Sequence, residues 1–150
     1  MNLFFREALP SDVAKVVALL RDDELGAARE TANMPSYFKA FYEMRSDPNN
    51  LLIVGDLGGQ LVATYHLTII AGLTLAASKR AQLEGVRVAS DLRGQGIGAA
   101  LIADAEQRAA LQGCKLMQLT MNSSREDADR FYQTQGFVPS HTGFKRIIEE

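Results

Sequence analysis

The segment that most constrains the fold covers residues 86–101 and joins a strand to a helix through a loop rich in glycine. Three glycines, Gly94, Gly96 and Gly98, fall within five positions. Because glycine has no Cβ, a ligand can approach the backbone N–H groups of such a loop closely. The helix that follows contributes unpaired N–H groups and the positive end of its dipole. Arg93 adds a permanent charge that can bind two phosphate oxygens at once, so the segment predicts a pyrophosphate site.

Two other interpretations of this loop are open. It can be a turn that merely joins strand to helix, although an ordinary helix start favours Ser, Thr or Asp over alternating glycines. Residues 94–99 also match the dinucleotide pattern G-x-G-x-x-G/A. That fold requires the motif after the first strand of a βαβ series and an acidic residue at the end of the next strand. Here three or four strands come first and the next strand ends at Met121-Asn122, which argues against a dinucleotide oxidoreductase.

The order of the predicted elements is β-α-α-β-β-β-α-β-α-β-β. Antiparallel strands come first and one parallel β-α-β crossover follows, which predicts an α/β fold of the mixed α+β type, with helices on both faces of a mostly antiparallel sheet. No repeat or linker interrupts the chain, so residues 1–150 are expected to form a single domain. The predicted strands are 3–5, 51–54, 61–70, 82–88, 115–121, 137–138 and 144–148, and the predicted helices are 10–20, 37–44, 94–112 and 127–135.

Composition excludes several classes of protein. The chain carries 16 Lys and Arg against 18 Asp and Glu, a net charge of −2, whereas non-specific binding of nucleic acid needs a basic excess. No apolar run approaches the roughly 20 residues of a membrane span. Charged residues also occur too early in the chain for a signal peptide. We therefore expect a soluble, cytoplasmic protein with no nucleic-acid or membrane partner.

The cysteine and histidine residues give no sign of a metal site. Cys114 is the single cysteine, which favours a reducing compartment and a small buried hydrophobic role. His66 and His141 lack the spacing of metal ligands. Both are expected to be ordinary strand or loop histidines, and no metal is predicted.

Two motifs resemble those of the GNAT family of acyl-CoA-dependent N-acetyltransferases. Arg93, Gly96 and Gly98 fit the family signature Arg/Gln-x-x-Gly-x-Gly/Ala, and residues 131–137, FYQTQGF, fit its F-Y-x-x-x-G-F motif about 35 residues later. The resemblance extends from residue 3 through nearly the whole chain. It implies a GNAT-like fold whose sheet splays apart between residues 86–88 and 116–119 to admit acetyl-CoA.

The same resemblance implies where acetyl-CoA, the co-substrate, binds. In the family the loop amides hold the pyrophosphate, and the strand before the loop pairs its backbone with the pantetheine arm. Asn122 and Tyr132 resemble contacts on the splayed side of the cofactor. The implied cofactor-binding residues are Val86, Arg87, Val88, Arg93, Gly94, Gln95, Gly96, Ile97, Gly98, Ala99, Asn122 and Tyr132.

Acyl transfer to an amine needs a base for the amine proton, donors for the developing oxyanion and an acid for the leaving thiolate. Glu84 is the candidate base, since the family often carries a glutamate on this strand. Strand alternation predicts that Glu84 shares a face with Val86 and Val88, and Gly85 suggests a bulge that opens space beside it. A mostly buried carboxylate at this position would be suited to act as a general base, either directly or through a water molecule. The alternative is an exposed or ion-paired glutamate.

Tyr132 is the candidate acid. A phenol is a good proton donor to a thiolate, and in relatives the F-Y-x-x-x-G-F motif places this tyrosine beside the cofactor sulfur. The oxyanion donor is expected to be a backbone amide near Val86. The alternative for Tyr132 is a core or rim tyrosine at helical spacing.

The acceptor is the least constrained part of the function. The C-terminal part resembles aminoalkylphosphonate N-acetyltransferases, and Arg125, Ser140, His141 and Lys145 could bring positive charge to an acidic group. We expect a primary amine of a small molecule as the acceptor. A protein or peptide amine, or a non-catalytic sensor that binds acyl-CoA, are the alternatives. A homodimer is possible, since dimers are common among relatives, but the sequence does not decide the oligomeric state.

Overall fold

The computed structural model describes residues 2–22, 24–31 and 33–149. Within them, no helix is both long and apolar enough to cross a membrane. The strands are β1 (Leu3–Glu7), β2 (Asn50–Leu57), β3 (Gln60–Ile70), β4 (Arg80–Val88) and β5 (Leu116–Leu119), and the helices are α1 (Val13–Leu20), α2 (Glu24–Arg29), α3 (Met34–Arg45), α4 (Thr74–Ala77), α5 (Ile97–Leu111) and α6 (Glu126–Thr134).

The strands form one sheet in the order β1-β2-β3-β4-β5. Neighbouring strands from β1 to β4 are antiparallel, and β4 and β5 are parallel. Gly58 and Gly59, both with positive φ, make the tight turn between β2 and β3. Helix α5 makes the crossover from β4 to β5, because parallel neighbours cannot be joined by a hairpin. The predicted mixed fold, with one β-α-β crossover, is confirmed.

Helices cover both faces of the sheet, as predicted. On one face, apolar residues of α5 such as Leu101 and Ala105 pack on Leu67 and Leu83, all of them almost completely buried. On the other face, Val13, Val16 and Val17 of α1 pack with Phe41 of α3 and Val54 of β2. The spacing of the α1 valines places them on one side of the helix. Burial of the apolar side chains on these two faces holds the helices to the sheet.

A partly buried polar cluster fixes α5 against the strands. The hydroxyl of Tyr65 donates to Asp104, whose carboxylate also accepts from Nε of Arg108 at 2.8 Å. The same guanidinium donates to the carbonyl oxygen of Phe5 on β1 at 3.1 Å. Burial and the neighbouring Asp104 raise the pKa of Tyr65, so its phenol stays protonated and keeps donating. The helix that begins at the glycine loop is thus tied to both β3 and β1.

The structure differs from the predictions in several places. Helices α2 and α4 were not predicted, α5 begins at Ile97 rather than at residue 94, and β5 covers 116–119 rather than 115–121. Helix α3 begins at Met34, earlier than expected, because the Asn33 side chain accepts a hydrogen bond from the Ser36 amide as a helix cap. The predicted strands at 137–138 and 144–148 are wrong, since residues 137–149 form neither strand nor helix. A strand exists only where its backbone groups pair, and β5 pairs with β4 alone.

An ion pair stabilises the entry into α1. The guanidinium of Arg6 on β1 donates to both carboxylate oxygens of Asp12, at 2.7 and 3.2 Å, and the Leu9 amide donates to the same carboxylate at 2.7 Å. Asp12 is only 4% exposed. The hydrogen bonds from Arg6 and Leu9 lower the pKa of Asp12 despite its burial.

We predict that Asp12→Ala lowers the free energy of unfolding at neutral pH by about 3 kcal/mol, because it leaves a half-buried Arg6 without its main partner. The lowered pKa of Asp12 means that this stabilisation is complete above the unfolded-state pKa of about 3.9 and is lost as the pH falls further towards the folded-state value. Urea unfolding at neutral and acid pH measures both effects. Asp127→Ala, which removes an exposed pair with Arg130, is the control and should change stability little. Equal losses in the two variants would contradict the prediction.

Candidate active site

The pairing between β4 and β5 stops partway along β4. The four paired positions run from Arg80 opposite Leu116 to Leu83 opposite Leu119. Strand β5 ends there, whereas β4 continues to Val88 with β3 on its other side. The edge of β4 at residues 84–88 therefore has no strand beside it among the residues that the structure describes. The expected opening beside residues 86–88 is present, but residues 116–119, which were expected on its other side, are paired with β4.

A bulge interrupts β4 at the start of this free edge. Thr64 lies opposite Arg87 and His66 lies opposite Glu84, so β4 has one more residue than β3 in this interval. Gly85 has a φ of +59°, a conformation that side chains disfavour. The predicted bulge at Gly85 is confirmed.

The bulge corrects the expected orientation of Glu84. Leu83 is buried in the core beneath α5, so its neighbour Glu84 faces the other side of the sheet, while Val86 and Val88 pack on the same core as Leu83. The expectation that Glu84 shares a face with these valines is wrong, because the extra residue shifts the alternation by one. Glu84 is also exposed rather than mostly buried.

A polar network beside Glu84 is a feature that the sequence did not reveal. Nε2 of His66 lies 2.7 Å from Oδ1 of Asn50, and the Thr68 hydroxyl donates to the same oxygen at 3.2 Å. Since that oxygen only accepts, it holds the proton of the neutral imidazole on Nε2. Burial lowers the pKa of His66, and the charge of Glu84 acts weakly in the opposite direction. These hydrogen bonds depend on the register between β2 and β3, which no local pattern encodes.

The glycine loop is exposed and lies directly before the first turn of α5. Gly94 and Gly96 have φ values of +78° and +85°. Helix α5 begins at Ile97, and Gly96, its N-cap residue, offers no side chain to cap it. The first backbone hydrogen bond of the helix runs from Ala100 to Gly96, which leaves the N–H groups of residues 97–99 for a ligand. Arg93 and Gln95 are exposed beside them, as is Ala99.

Gly98 has a different role, which is to let α6 approach α5. A Cβ on Gly98 would lie 3.0 Å from Cζ of Phe131, whereas one on Gly94 or Gly96 would meet nothing within 4 Å. The absence of a side chain at Gly98 therefore places Phe131, and with it Tyr132, next to the first turn of α5. The family signature and the F-Y-x-x-x-G-F motif meet at this contact.

Tyr132 is half-buried among aromatic rings. Its ring packs edge to face against Phe131 and Phe137, with centroid distances of 5.2 and 5.8 Å. Burial raises the pKa of Tyr132, opposed by the charges of Arg87 and Arg125. The phenol therefore keeps its proton at neutral pH.

Two other predicted residues are engaged in local contacts. Nη1 of Arg87 donates to the carbonyl oxygen of Val86 at 2.9 Å, so this guanidinium lies along the free edge of β4. Oδ1 of Asn122 accepts from the amide and the hydroxyl of Ser124, at 3.0 and 2.6 Å. Asn122 thereby forms the turn that leads into α6, and its amide nitrogen is the group left to meet a ligand.

In the described part of the chain, no group of three or more acidic, histidine or cysteine residues is arranged to hold a metal ion. Cys114 is half-buried, and burial raises the pKa of its thiol.

Comparison with known proteins identifies the family. The acetyltransferase (GNAT) family matches residues 16–137. An aminoalkylphosphonate N-acetyltransferase of Salmonella typhimurium is 37% identical over 67 residues, which span 45% of this chain and 44% of that enzyme. The chain belongs to the acetyltransferase (GNAT) family.

Solved structures share the fold over the whole chain. A transcriptional regulator from Bacillus halodurans C-125 is 43% identical, with a TM-score of 0.93 and coverage of 98% of this chain and 100% of that one. Glucosamine-6-phosphate N-acetyltransferase from Arabidopsis thaliana is 20% identical and shares the fold, with a TM-score of 0.81 and coverage of 99% and 100%.

We predict that Gly98→Val destabilises the protein by about 1–3 kcal/mol, because its side chain collides with Phe131 and forces α6 away from α5. Urea unfolding of the ligand-free protein measures the loss. Ala103→Val, which places the same side chain at an exposed position of α5, is the matched control. A Gly98→Val variant as stable as this control would show that the close approach of the two helices is not required.

Proposed function

We propose that the protein transfers the acetyl group of acetyl-CoA to a primary amine of a small molecule. The observation that carries this proposal is the free edge of β4 at residues 84–88, which leads directly into the uncapped, glycine-lined start of α5. An extended part of a ligand can pair with the free edge of β4 while the phosphates of the ligand bind the start of α5. Membership of the family supports the same assignment.

The residues on this path fit acetyl-CoA. The backbone of Val86 and Val88 would hold the pantetheine arm, and the amides of the loop and first turn, with Arg93, would hold the pyrophosphate. When bound, acetyl-CoA supplies an activated acetyl thioester. Asn122 and Tyr132 would lie on the opposite side of the arm, one through its amide nitrogen and the other through its phenol.

In the proposed reaction, the amine nitrogen bonds to the acetyl carbon as the carbon–sulfur bond breaks. Glu84 receives the proton that the amine loses, directly or through water, and Tyr132 gives its proton to the departing sulfur. Tyr132 is suited to this because burial keeps its phenol protonated. When the products leave, Glu84 releases the proton it gained to water and Tyr132 takes one back from water, so that both groups return to their starting states. A backbone amide near Val86 is the proposed donor to the developing oxyanion.

The acceptor would approach the face of the sheet on which Glu84 lies. This face carries one carboxylate beside the neutral His66 and Asn50 pair, a setting that suits a cationic amine with polar substituents. Aminoalkylphosphonates are the first compounds to try, because the Salmonella enzyme is named for them. A protein or peptide amine is the second acceptor class.

A non-catalytic acyl-CoA sensor is the alternative function. The structure from Bacillus halodurans that resembles this chain along its length is described as a transcriptional regulator. A sensor would bind acetyl-CoA without transferring the acetyl group, so binding and turnover must be measured separately.

We predict that saturating acetyl-CoA raises the melting temperature, because the ligand binds only the folded state. At about 100 times its Kd the ligand should stabilise the protein by about 2.7 kcal/mol. Differential scanning fluorimetry with acetyl-CoA, and with acetate as the control, tests this. An unchanged melting temperature would contradict both proposed functions, the enzyme and the sensor.

We predict that Glu84→Gln and Tyr132→Phe each lower kcat for acetyl transfer by about 100-fold or more, while both variants still bind acetyl-CoA. CoA release with a panel of amines measures turnover. The panel holds aminoalkylphosphonates, polyamines, amino acids, an aminoglycoside and a lysine peptide. Glu7→Gln and Tyr42→Phe, at exposed positions on β1 and α3, are the matched controls and should leave activity unchanged. Full turnover in either site variant would disprove its role, and binding without release in the wild type would favour the sensor.

The raised pKa of Tyr132 also predicts how kcat depends on pH in the alkaline range. A general acid must be protonated, and the unperturbed pKa of tyrosine is about 10, so a higher value keeps Tyr132 competent past that pH. With saturating acceptor, we expect kcat not to fall between about pH 8 and about pH 10. A fall in this range that disappears in Tyr132→Phe would contradict the raised pKa.

A further inference from the structure

Asn50, His66 and Glu84 form a polar row across one face of the sheet, on β2, β3 and β4 in turn. His66 lies directly opposite Glu84 in the antiparallel pairing of β3 and β4, and residues opposite each other point to the same face. Tyr65 and Leu67, on either side of His66, are completely buried in the core beneath α5. His66 and Glu84 therefore share the other face of the sheet, at the point where the free edge of β4 begins.

The turn before β2 fixes the orientation of the Asn50 side chain. The amide nitrogen of Asn50 donates to a carboxylate oxygen of Asp47 at 3.0 Å. Because an ionised carboxylate only accepts, the other end of the amide, Oδ1, is the end that faces His66, 2.7 Å from its Nε2. That oxygen also only accepts, so Nε2 carries the proton of the neutral imidazole.

The second ring nitrogen of His66, Nδ1, is then a hydrogen-bond acceptor. It has no hydrogen-bond partner among the described residues, whereas Nε2 lies within reach of both Asn50 and Thr68. Burial lowers the pKa of His66, which keeps the ring neutral and the lone pair of Nδ1 free to accept. The residue is only partly buried, so a ligand on this face of the sheet can reach the ring.

We propose that Nδ1 of His66 holds one N–H group of the acceptor amine, and that this contact selects primary amines over N-methylated ones. The inference rests on the proposed acetyl transfer. A neutral primary amine carries two N–H groups beside the lone pair that attacks the acetyl carbon. As the nitrogen–carbon bond forms, one of these protons passes to Glu84 and the other remains on nitrogen as the N–H group of the amide product. His66 holds the proton that remains.

An N-methyl amine cannot make both contacts. Its single N–H group gives its proton to the base, so Nδ1 of His66 faces a methyl group and has no hydrogen bond. A site that accepts a hydrogen bond from a substrate N–H rejects the analogue without it, because the polar group of the protein is left unpaired. We expect this loss to lower kcat/KM for the N-methyl amine by about 10-fold.

The ratio of kcat/KM for a primary amine and for its N-methyl derivative tests the role of His66. Each amine of the panel that supports CoA release is compared with its N-methyl derivative, beginning with aminoethylphosphonate. His66→Leu keeps a side chain of similar size but removes the acceptor, so the preference for the primary amine should fall by about 10-fold. His66→Asn is smaller, but its side-chain oxygen can take the place of Nδ1 and should restore the preference.

Two controls separate this role from a structural or steric one. Gln60→Leu changes an exposed polar residue at the start of β3 and should leave turnover and the ratio unchanged. Every variant should keep its circular dichroism spectrum and its melting-temperature shift with acetyl-CoA, since His66 lies outside the proposed acetyl-CoA path. Exclusion of the methyl group by size would instead leave the preference intact in His66→Leu and relax it in the smaller His66→Asn.

Nitrogen NMR of the ligand-free protein tests the state of the ring independently of turnover. At neutral pH the nitrogen shifts should place the proton of His66 on Nε2 and leave Nδ1 unprotonated, and the opposite tautomer would overturn the proposal. A preference that persists in a folded, active His66→Leu would overturn the role of His66 alone. If His66→Leu is inactive, a preference lost in His66→Asn would do the same. Absence of CoA release with every amine in the wild type would overturn the proposed transfer, and this role with it.

Discussion

A short parallel pairing holds β5 to β4 over four residues and then stops at Leu83 and Leu119. Beyond that point β4 keeps β3 on one side and has a free edge on the other. Free backbone groups inside a sheet are unfavourable unless something pairs with them, and here they lie between the start of α5 and the aromatic side of α6. The candidate site depends on this interrupted pairing more than on any single side chain.

Two local features, the bulge at Gly85 and the helix contact at Gly98, shape the candidate site beside the free edge of β4. The bulge at Gly85 sends Glu84 to one face of the sheet while Val86 stays in the core. Gly98 lets Phe131 rest on α5, which places Tyr132 next to the first turn of that helix. The proposed base and the proposed acid therefore come from different elements, β4 and α6.

The sequence predicted the parts that local patterns decide. The glycines at positions 94, 96 and 98 indicated a loop at the start of a helix, and Gly85 indicated a bulge, because each requirement concerns the backbone of a few residues. The face of Glu84 was predicted wrongly because it depends on how β4 registers with β3. The contact of His66 with Asn50 was not predicted for the same reason, since it joins residues on separate strands.

Residues 144–148 show why a sequence pattern alone does not determine a strand. Residues 144–148 have the composition of a strand, yet they form none in the chain's own sheet. Alternation and β-propensity describe what a segment is suited to, whereas a strand also needs an edge to pair with. The sequence therefore predicted a strand at 144–148 that the structure does not contain, because a pattern alone does not supply the neighbouring strand.

Hydrogen exchange of the β4 amides tests the central claim most directly, because it reports on the free edge itself. The account predicts that acetyl-CoA slows exchange across residues 84–99, from the free edge through the first turn of α5, and leaves the edge strand β1 unchanged. Unaltered exchange at residues 84–99 in the presence of bound acetyl-CoA would contradict it, since the ligand would then bind somewhere other than the opening between β4 and β5.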